Sequence, residues 1–240
     1  MTTTARTQTP VWRAIAEALR TDIARGRYRA GDKLPTEHAL AARFGVNRHT
    51  VRRAVLALVE DELVRTRRGA GAFVRTEATE YPLGRRVRFH ENLLAAGRAP
   101  RRRVLTLEQR ASTDGEAAAL AIDVGAPVCA FHGVSLADNS PIAVFESLFP
   151  AERLVGIEAA LRVADGVTDA LCRVGVVDYM RASTRVTAVL ADASQALHLE
   201  LKPGDPLLRT SAVNVDPDRV PVEYGRTWFA GDRVTLTLDT

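Results

Sequence analysis

Residues 31–60, GDKLPTEHALAARFGVNRHTVRRAVLALVE, decide the fold of the N-terminal part of the chain. Thr36 is placed to cap a helix that carries Leu40 on its inner face. This helix ends at Gly45, because glycine readily takes the left-handed conformation that follows a helix C-terminus. Asn47 is placed to cap the next helix. Two short helices joined by a glycine turn predict a helix-turn-helix.

The second of these helices begins with a run of hydrogen-bond donors and has no acidic residue before Glu60. The donors are Arg48, His49, Thr50, Arg52 and Arg53. In a helix-turn-helix, the N-terminal residues of the second helix meet base edges in the major groove. Arginine can bind guanine in a bidentate manner, and threonine can donate to a phosphate. A solvated helix face is the alternative, but this many donors behind a glycine turn favour contact with DNA.

Two flanking segments complete the predicted domain. Upstream, a helix is expected to begin at Pro10, with apolar residues at helical spacing behind it. Downstream, residues 65–74 predict a hairpin whose basic, glycine-bearing tip contains Arg67, Arg68 and Gly69. Such a wing can lie along a phosphate backbone or enter the minor groove.

The charge of the chain is unevenly distributed over its 240 residues. Residues 1–75 have a net charge of +8 and residues 76–110 of +4, whereas residues 111–240 have a net charge of −8. A basic first part is expected of a domain that binds phosphate backbones. We therefore predict a DNA-binding domain over 1–75, a linker with a short helix over 76–98 and a second domain over 99–240.

Several function classes find no support in the sequence. No apolar run approaches the roughly 20 residues of a membrane helix, and the first ten residues lack the apolar region of a secretory signal. Cys129 and Cys172 form neither a disulfide framework nor a zinc motif, and the five histidines lie far apart. Nucleophile-elbow and Walker-type motifs are missing. We expect a cytoplasmic protein that is not an enzyme, with no metal, no cofactor and no membrane partner.

The N-terminal part resembles a known family. The resemblance rests on three motifs, Gly31-x-x-Leu34-Pro35-Thr36-Glu37, Gly45-Val46-Asn47-Arg48-x-Thr50-Val51-Arg52 and Gly69-x-Gly71-x-Phe73-Val74. They are similar to the winged helix of GntR-family transcription regulators over residues 11–75. The resemblance implies that a homodimer binds double-stranded operator DNA. It also implies that Arg48, Thr50 and Arg52 contact DNA, with Gly69 at the tip of the wing.

Strands joined by hairpins, with helices inserted, predict an α+β second domain with an antiparallel sheet. For example, Val128–Ala137 and Ile142–Phe149 flank a cluster of turn residues at 138–140. Val222–Phe229 and Val234–Leu238 are expected to finish the sheet. Arg101-Arg102-Arg103 is a basic cluster that fits either a solvated strand start or a phosphate contact.

This second half is similar to the effector-binding (UTRA) domain of the HutC-type branch of the same family, whose fold resembles chorismate lyase. The signals include Pro221-Val222-Glu223-Tyr224 before Gly231-Asp232-Arg233. Tyr81-Pro82-Leu83 and Arg88-Phe89-x-x-Asn92-Leu93-Leu94-x-x-Gly97 look more specifically like the phosphonate-metabolism regulators of that branch. The resemblance implies repression or control of phosphonate-uptake and degradation genes, with a small phosphate- or phosphonate-like effector.

The resemblance also suggests where an effector binds. Members that bind sugar phosphates use two arginines on the strand matching Phe131–Leu136, where this chain has His132 and Ser135. Arg181, Ser183 and Arg185 are expected on one face of a strand and could supply cations instead. Thr168 follows Asp165-Gly166-Val167, where backbone N–H groups at a helix start could hold an anion. The remaining candidates match pocket-lining positions of relatives and are Glu146, Glu223, Tyr224 and Phe229.

Three functions therefore remain open. The first is a ligand-responsive repressor, in which the segment around Thr76–Leu83 is the hinge. The second is a DNA-binding dimer that controls another metabolic operon, either with a non-phosphorylated effector or with a second domain that only dimerises. The third is a small-carboxylate lyase with a basic appendage.

Overall fold

The computed structural model describes residues 10–67, 71–75, 78–84, 89–95 and 97–238. The chain divides into two compact units, residues 1–77 and 78–240. Helices and a small hairpin form the first unit, and a large antiparallel sheet with flanking helices forms the second. The predicted fold class is therefore confirmed. Within the described residues, no helix is both long and apolar enough to span a bilayer.

The first unit has the predicted helix-turn-helix and hairpin. Its elements are α1 (Val11–Ala24), α2 (Glu37–Phe44), α3 (Arg48–Glu60), β1 (Val64–Arg67) and β2 (Gly71–Val74). Thr36 Oγ1 accepts a hydrogen bond from the N–H of Ala39 at 3.2 Å, which caps α2. Asn47 Oδ1 accepts from the N–H of Thr50 at 2.9 Å, which caps α3. Gly45 between them has a φ of 64°, as the turn requires.

The second unit is built on one six-stranded sheet. Its elements are β3 (Thr79–Pro82), α4 (Phe89–Ala95), β4 (Pro100–Ala111), α5 (Asp114–Leu120), β5 (Pro127–Ala137), β6 (Ser140–Pro150), α6 (Ile157–Val163), α7 (Val167–Arg173), β7 (Met180–Leu190), α8 (Ala193–Leu199), β8 (Pro206–Val215), β9 (Pro221–Ala230) and β10 (Val234–Thr237). The sheet is antiparallel throughout, in the order β4-β5-β6-β9-β8-β7. Buried aromatic residues such as Phe131 and Phe149 pack one face of it against α6 and α7.

The prediction that Val234–Leu238 finishes the large sheet is wrong. β10 instead pairs with β3 in a separate, parallel two-stranded sheet. Both edges of β9 are already paired, with β6 and β8, so the last strand cannot join the large sheet beside it. In the turn before β10, Arg233 is 1% exposed and donates to the carbonyl oxygen of Pro141.

The β3–β10 pairing also limits which residues of the predicted hinge, 76–83, can change conformation. The N–H of Thr79 donates to the carbonyl oxygen of Arg233, and the N–H of Leu83 donates to that of Thr237, both at 2.7 Å. Residues 79–83 are therefore held to the C-terminal end of the second unit. A hinge within residues 76–83 would have to lie before Thr79.

Candidate functional site

The start of α3 forms an exposed basic surface. Val51, Val55 and Leu58 face the core of the first unit, so the opposite side of the helix faces solvent. Each of the predicted donors is accessible, with Thr50 half-buried and the others exposed; these others are Arg48, His49, Arg52 and Arg53. The fold thus presents the first two turns of α3 in the way that a recognition helix requires.

Glu37, in the first turn of α2, orients Arg52. Arg52 Nε and Nη2 donate to the two carboxylate oxygens of Glu37, each at 2.9 Å, and Arg48 Nη2 lies 3.7 Å from the same carboxylate. The hydrogen bonds from Arg52 lower the pKa of Glu37. This role of Glu37 is not among those predicted from the sequence. The only available signal was its place in the LPTE motif, because nothing local links α2 to α3 across 15 residues.

Aromatic contacts orient two further cations of the first unit. The guanidinium of Arg53 lies 4.7 Å from the ring centroid of Trp12 in α1. Lys33, in the loop before α2, lies 6.0 Å from the ring centroid of Phe73 in the predicted wing. Lys33 also bridges to Phe73 through the backbone, and its Cε lies 3.0 Å from the position that a Cβ on Gly71 would take. Sequence reasoning did not single out Lys33, which adds a positive charge beside the wing.

The tip of the wing is only partly described. Arg68 and Gly69 lie outside the described residues, and of Arg67 only the backbone is described, at the end of β1. The base of the wing is anchored, since Leu34 donates its N–H to Ala72 and Gly31 donates to Val74. The roles predicted for the three tip residues remain predictions.

One face of the large sheet in the second unit borders a cavity of about 760 Å³. Side chains of β3 and of all six strands of the sheet line it, together with the segment that leads into α7. Five of the predicted effector residues face this cavity: Ser135, Thr168, Arg181, Glu223 and Phe229. Because these residues come from different elements, only the folded sheet brings them together.

Three other candidates lie on the opposite face of the sheet and do not line this cavity. His132 and Glu146 are direct neighbours on β5 and β6, and His132 Nε2 lies 2.8 Å from Glu146 Oε1. Arg226 binds the same carboxylate and lies over the ring of Tyr224. Burial alone would raise the pKa of Glu146, but the bond to His132 and the charge of Arg226 lower it overall. These side chains belong to a charge cluster that fastens α5 to the sheet.

Arg110 and Glu116 complete that cluster. Arg110 donates to both carboxylate oxygens of Glu116, at 2.7 and 2.9 Å. These hydrogen bonds lower the pKa of Glu116 to about 2, even though the residue is only 5% exposed. The backbone N–H of Thr113 donates to the same carboxylate at 3.0 Å and closes a capping box at the start of α5.

A β-bulge decides which arginine of β7 reaches the cavity. Arg181 lies opposite Asn214, but the next pairs are Ser183 with Val213 and Arg185 with Ser211, so Ala182 is an extra residue in the ladder. The prediction that Arg181, Ser183 and Arg185 share one face is therefore wrong. Arg181 faces the cavity, whereas Arg185 lies on the other face of the sheet.

Arg102 is the second cation of the cavity wall. It lies opposite Ser135 in the sheet and stacks on the ring of Phe131 at 4.8 Å. Its Nη2 donates to the carbonyl oxygens of Leu161 and Ala164 at 3.3 and 2.9 Å. Burial lowers its pKa. Arg101 and Arg103 are exposed, as a solvated strand start requires, whereas Arg102 is half-buried; a phosphate contact by this cluster stays a prediction.

Arg102 and Arg181 each have one buried nitrogen for which the structure describes no acceptor. Arg102 Nη1 and Arg181 Nε are buried and, within the part of the chain that the structure describes, make no hydrogen bond. The Arg181 guanidinium also contacts the hydroxyl of Tyr81, whose pKa burial raises to about 12.

The floor of the cavity carries a buried carboxylate. Glu223 is 7% exposed and accepts hydrogen bonds from Ser147 Oγ and Asn214 Nδ2, both at 2.6 Å. Beside it, the Thr168 and Tyr179 hydroxyls lie 2.7 Å apart. The cavity therefore offers hydrogen-bond donors on Arg102 and Arg181 and an acceptor on Glu223.

Comparisons with known proteins agree with this two-unit architecture. A model of the gntR family of bacterial regulatory proteins matches residues 12–74, and a model of the UTRA domain matches residues 95–235. An HTH-type transcriptional regulator of Rhizobium meliloti (strain 1021) is 39% identical over 231 residues, which cover 96% of this chain and 95% of that protein.

Two further comparisons involve proteins named PhnF. The probable transcriptional regulator PhnF of Escherichia coli (strain K12) is 31% identical over 229 residues, covering 95% of this chain and 94% of that protein. The crystal structure of PhnF from Mycobacterium smegmatis has a TM-score of 0.64 at 27% identity, covering 94% of this chain and 98% of that one.

These relatives are transcriptional regulators, so the expectation that the chain is not an enzyme is confirmed. Regulators of this kind bind operator DNA, typically as dimers, and respond to small molecules through the UTRA domain. The family models and the full-length similarity show that this chain is a ligand-responsive transcriptional regulator of the gntR family, in the HutC-type branch that carries a UTRA domain.

Proposed function

We propose that this protein represses genes for phosphonate uptake or degradation, and that a small phosphate- or phosphonate-like molecule in the cavity of the second unit modulates its binding to DNA. The observation that carries the proposal is that two arginines, Arg102 and Arg181, line one cavity together with Ser135 and Thr168. Phosphonate oxygens accept charge-assisted hydrogen bonds from guanidinium groups. The resemblance of residues 81–97 to phosphonate-metabolism regulators supports the same ligand class.

The DNA-binding part of the proposal rests on the exposed start of α3. Five residues are proposed to contact the operator from this helix: Arg48, His49, Thr50, Arg52 and Arg53. The tip of the wing, Arg67, Arg68 and Gly69, is proposed to contact the phosphate backbone. A homodimer would place two such surfaces on the half-sites of a palindromic operator in the cytoplasm. Operator affinity should then fall steeply with salt, because each phosphate contact releases counterions.

The bulge at Ala182 provides a matched pair of variants to test the effector site. Arg181→Gln removes a charge that faces the cavity, and Arg185→Gln removes the same charge from the same strand on the other face. We expect Arg181→Gln to weaken methylphosphonate binding by about tenfold or more, since a charge-assisted hydrogen bond is lost, and Arg185→Gln to change it by less than about twofold.

Calorimetry with methylphosphonate and fluorescence anisotropy with an operator duplex selected by the purified protein are the two measurements. Release of the duplex by methylphosphonate from wild type and from Arg185→Gln, but not from Arg181→Gln, is the expected pattern. An equal loss of methylphosphonate affinity in both variants would mean that Arg181 acts only through the net charge of the unit. Operator binding without release by any phosphonate or phosphate would contradict the proposed effector class.

A second candidate is control of another metabolic operon by a carboxylate effector. This chain has His132 and Ser135 where relatives that bind sugar phosphates have two arginines, which favours an effector without a phosphate group. Arginines such as Arg102 and Arg181 can bind a carboxylate in a bidentate manner, as they can bind a phosphate. Release of the operator by short carboxylates, in the absence of release by phosphonates, would select this function.

A further inference from the structure

We infer that the effector is a zwitterion, in which an ammonium group bound to Glu223 accompanies the anionic group bound to Arg181. This inference rests on the proposed function, because it takes the cavity as the effector site. It adds a second recognition element of opposite charge. The evidence comes from the surroundings of Glu223 and from the placement of Arg181 in the sheet.

Within the described part of the chain, the carboxylate of Glu223 has hydrogen-bond partners but no charged partner. Ser147 and Asn214 each donate to one of its oxygens, and both donors are neutral. Among the described residues, no basic side chain forms an ion pair with it. A carboxylate that is 7% exposed is expensive to bury without a cation, and each of its oxygens can still accept another bond.

The sheet separates Arg181 from Glu223 by one strand. Arg181, Asn214 and Glu223 lie in one row across β7, β8 and β9, with Asn214 in the middle. Because neighbouring strands are about 4.8 Å apart, the backbones of Arg181 and Glu223 are separated by roughly 10 Å. The two side chains reach the same cavity without closing an ion pair, so a short ligand with two charges can lie between them.

The wider lining of the cavity shows the same balance of charge. It contains both cationic and anionic side chains, namely Arg101, Arg102, Arg181, Glu91, Asp165, Asp169 and Glu223. A ligand that carries only negative charge would bind the arginines of the cavity. It would also bring that charge close to the buried carboxylate of Glu223, which costs free energy. A phosphonate with an ammonium two or three carbons away satisfies both parts of the cavity.

Three phosphonates test the inference on the full-length wild-type protein. They are 2-aminoethylphosphonate, ethylphosphonate and N-acetyl-2-aminoethylphosphonate, which share the anion and differ in the ammonium. Calorimetry should show that the amino compound binds at least about tenfold more tightly than the other two, because only it can form a charged hydrogen bond with Glu223. Release of operator DNA should follow the same order.

Two variants locate the effect. Glu223→Gln keeps the shape of the side chain and removes its charge, so the preference for the amino compound should fall to about onefold while ethylphosphonate binding is retained or improved. Glu158→Gln removes one negative charge from a partly exposed position on α6, in the same unit, and should leave the preference unchanged.

Each contrary outcome has its own meaning. Equal affinity of wild type for the three compounds would overturn the inference and leave the proposed function intact, because a phosphonate still binds. A preference that persists in Glu223→Gln would show that another group binds the ammonium and would also overturn it. Failure of all three compounds to bind or to release the operator would overturn the proposed phosphonate effector, and the inference with it.

Discussion

Glu116→Gln should destabilise the second unit at neutral pH and should lose most of its effect in acid. The carboxylate of Glu116 accepts two hydrogen bonds from Arg110, and its pKa is lowered from 4.5 to about 2. A shift of that size corresponds to about 3 kcal/mol of stability at pH 7. Solvent at Arg110, which is 30% exposed, screens the pair and reduces the expected loss to about 2 kcal/mol.

The pH dependence follows from the direction of the shift. The pKa is lower in the folded state, so the stabilisation is fully present above pH 4.5 and is lost as the pH falls toward 2. The difference between wild type and Glu116→Gln should be constant between about pH 6 and 8 and should fall to less than about half near pH 3. Other carboxylates titrate in both proteins, so the difference isolates Glu116.

Urea unfolding at a series of fixed pH values measures this difference. Trp228 lies in the second unit and Trp12 in the first, so a Trp12→Phe background assigns the fluorescence signal to the second unit. Glu158→Gln is the control, since the Glu158–Arg162 pair joins two solvent-accessible side chains one turn apart on α6 and should contribute only about 0.3–0.5 kcal/mol. Equal stability of wild type and Glu116→Gln at pH 7, or a difference that persists unchanged at pH 3, would refute this account of the charge cluster.

Two further predictions concern the DNA surface and the cavity wall. Glu37→Gln should lower the ratio of operator affinity to random-duplex affinity, because Arg52 loses its bidentate partner, while random-duplex binding rises as a negative charge is removed; anisotropy with both duplexes measures this, and an unchanged ratio would count against positioning by Glu37. Gly133→Ala should cost about 1–3 kcal/mol in urea unfolding, since the new Cβ would lie 2.6 Å from Phe145 and 2.8 Å from the carbonyl oxygen of Arg103; an unaltered midpoint would show that Phe145 moves freely.

Local signals in the sequence were sufficient for the first unit. The caps at Thr36 and Asn47 and the left-handed Gly45 each depend on a few neighbouring residues, and each is found as predicted. The hairpin of β5 and β6 was predictable for the same reason, because a cluster of turn residues at 138–140 lies between two apolar, strand-forming segments. By contrast, the pairing of Arg52 with Glu37 depends on how two helices pack, which no local pattern encodes.

Non-local geometry accounts for what the sequence could not predict in the second unit. Parallel pairing of β3 with β10 joins segments from opposite ends of the unit. No turn sequence connects the two strands, so no local pattern predicts that they pair. One extra residue at Ala182 reverses the face on which Arg185 lies, since strand side chains alternate. The cavity itself was predicted only as a set of residues, and four of those nine, His132, Glu146, Tyr224 and Arg185, do not line it.

The pairing of β3 with β10 determines where a fragment that contains the complete second unit must begin and end. Tyr81 lines the cavity from β3, and β3 is completed only by the C-terminal strand. A fragment that begins at residue 99 would lack Tyr81 and would leave the edge of β10 uncovered. An engineer who wishes to fuse this sensor to a different output domain should therefore start the fragment at Ala78 and extend it beyond Thr237.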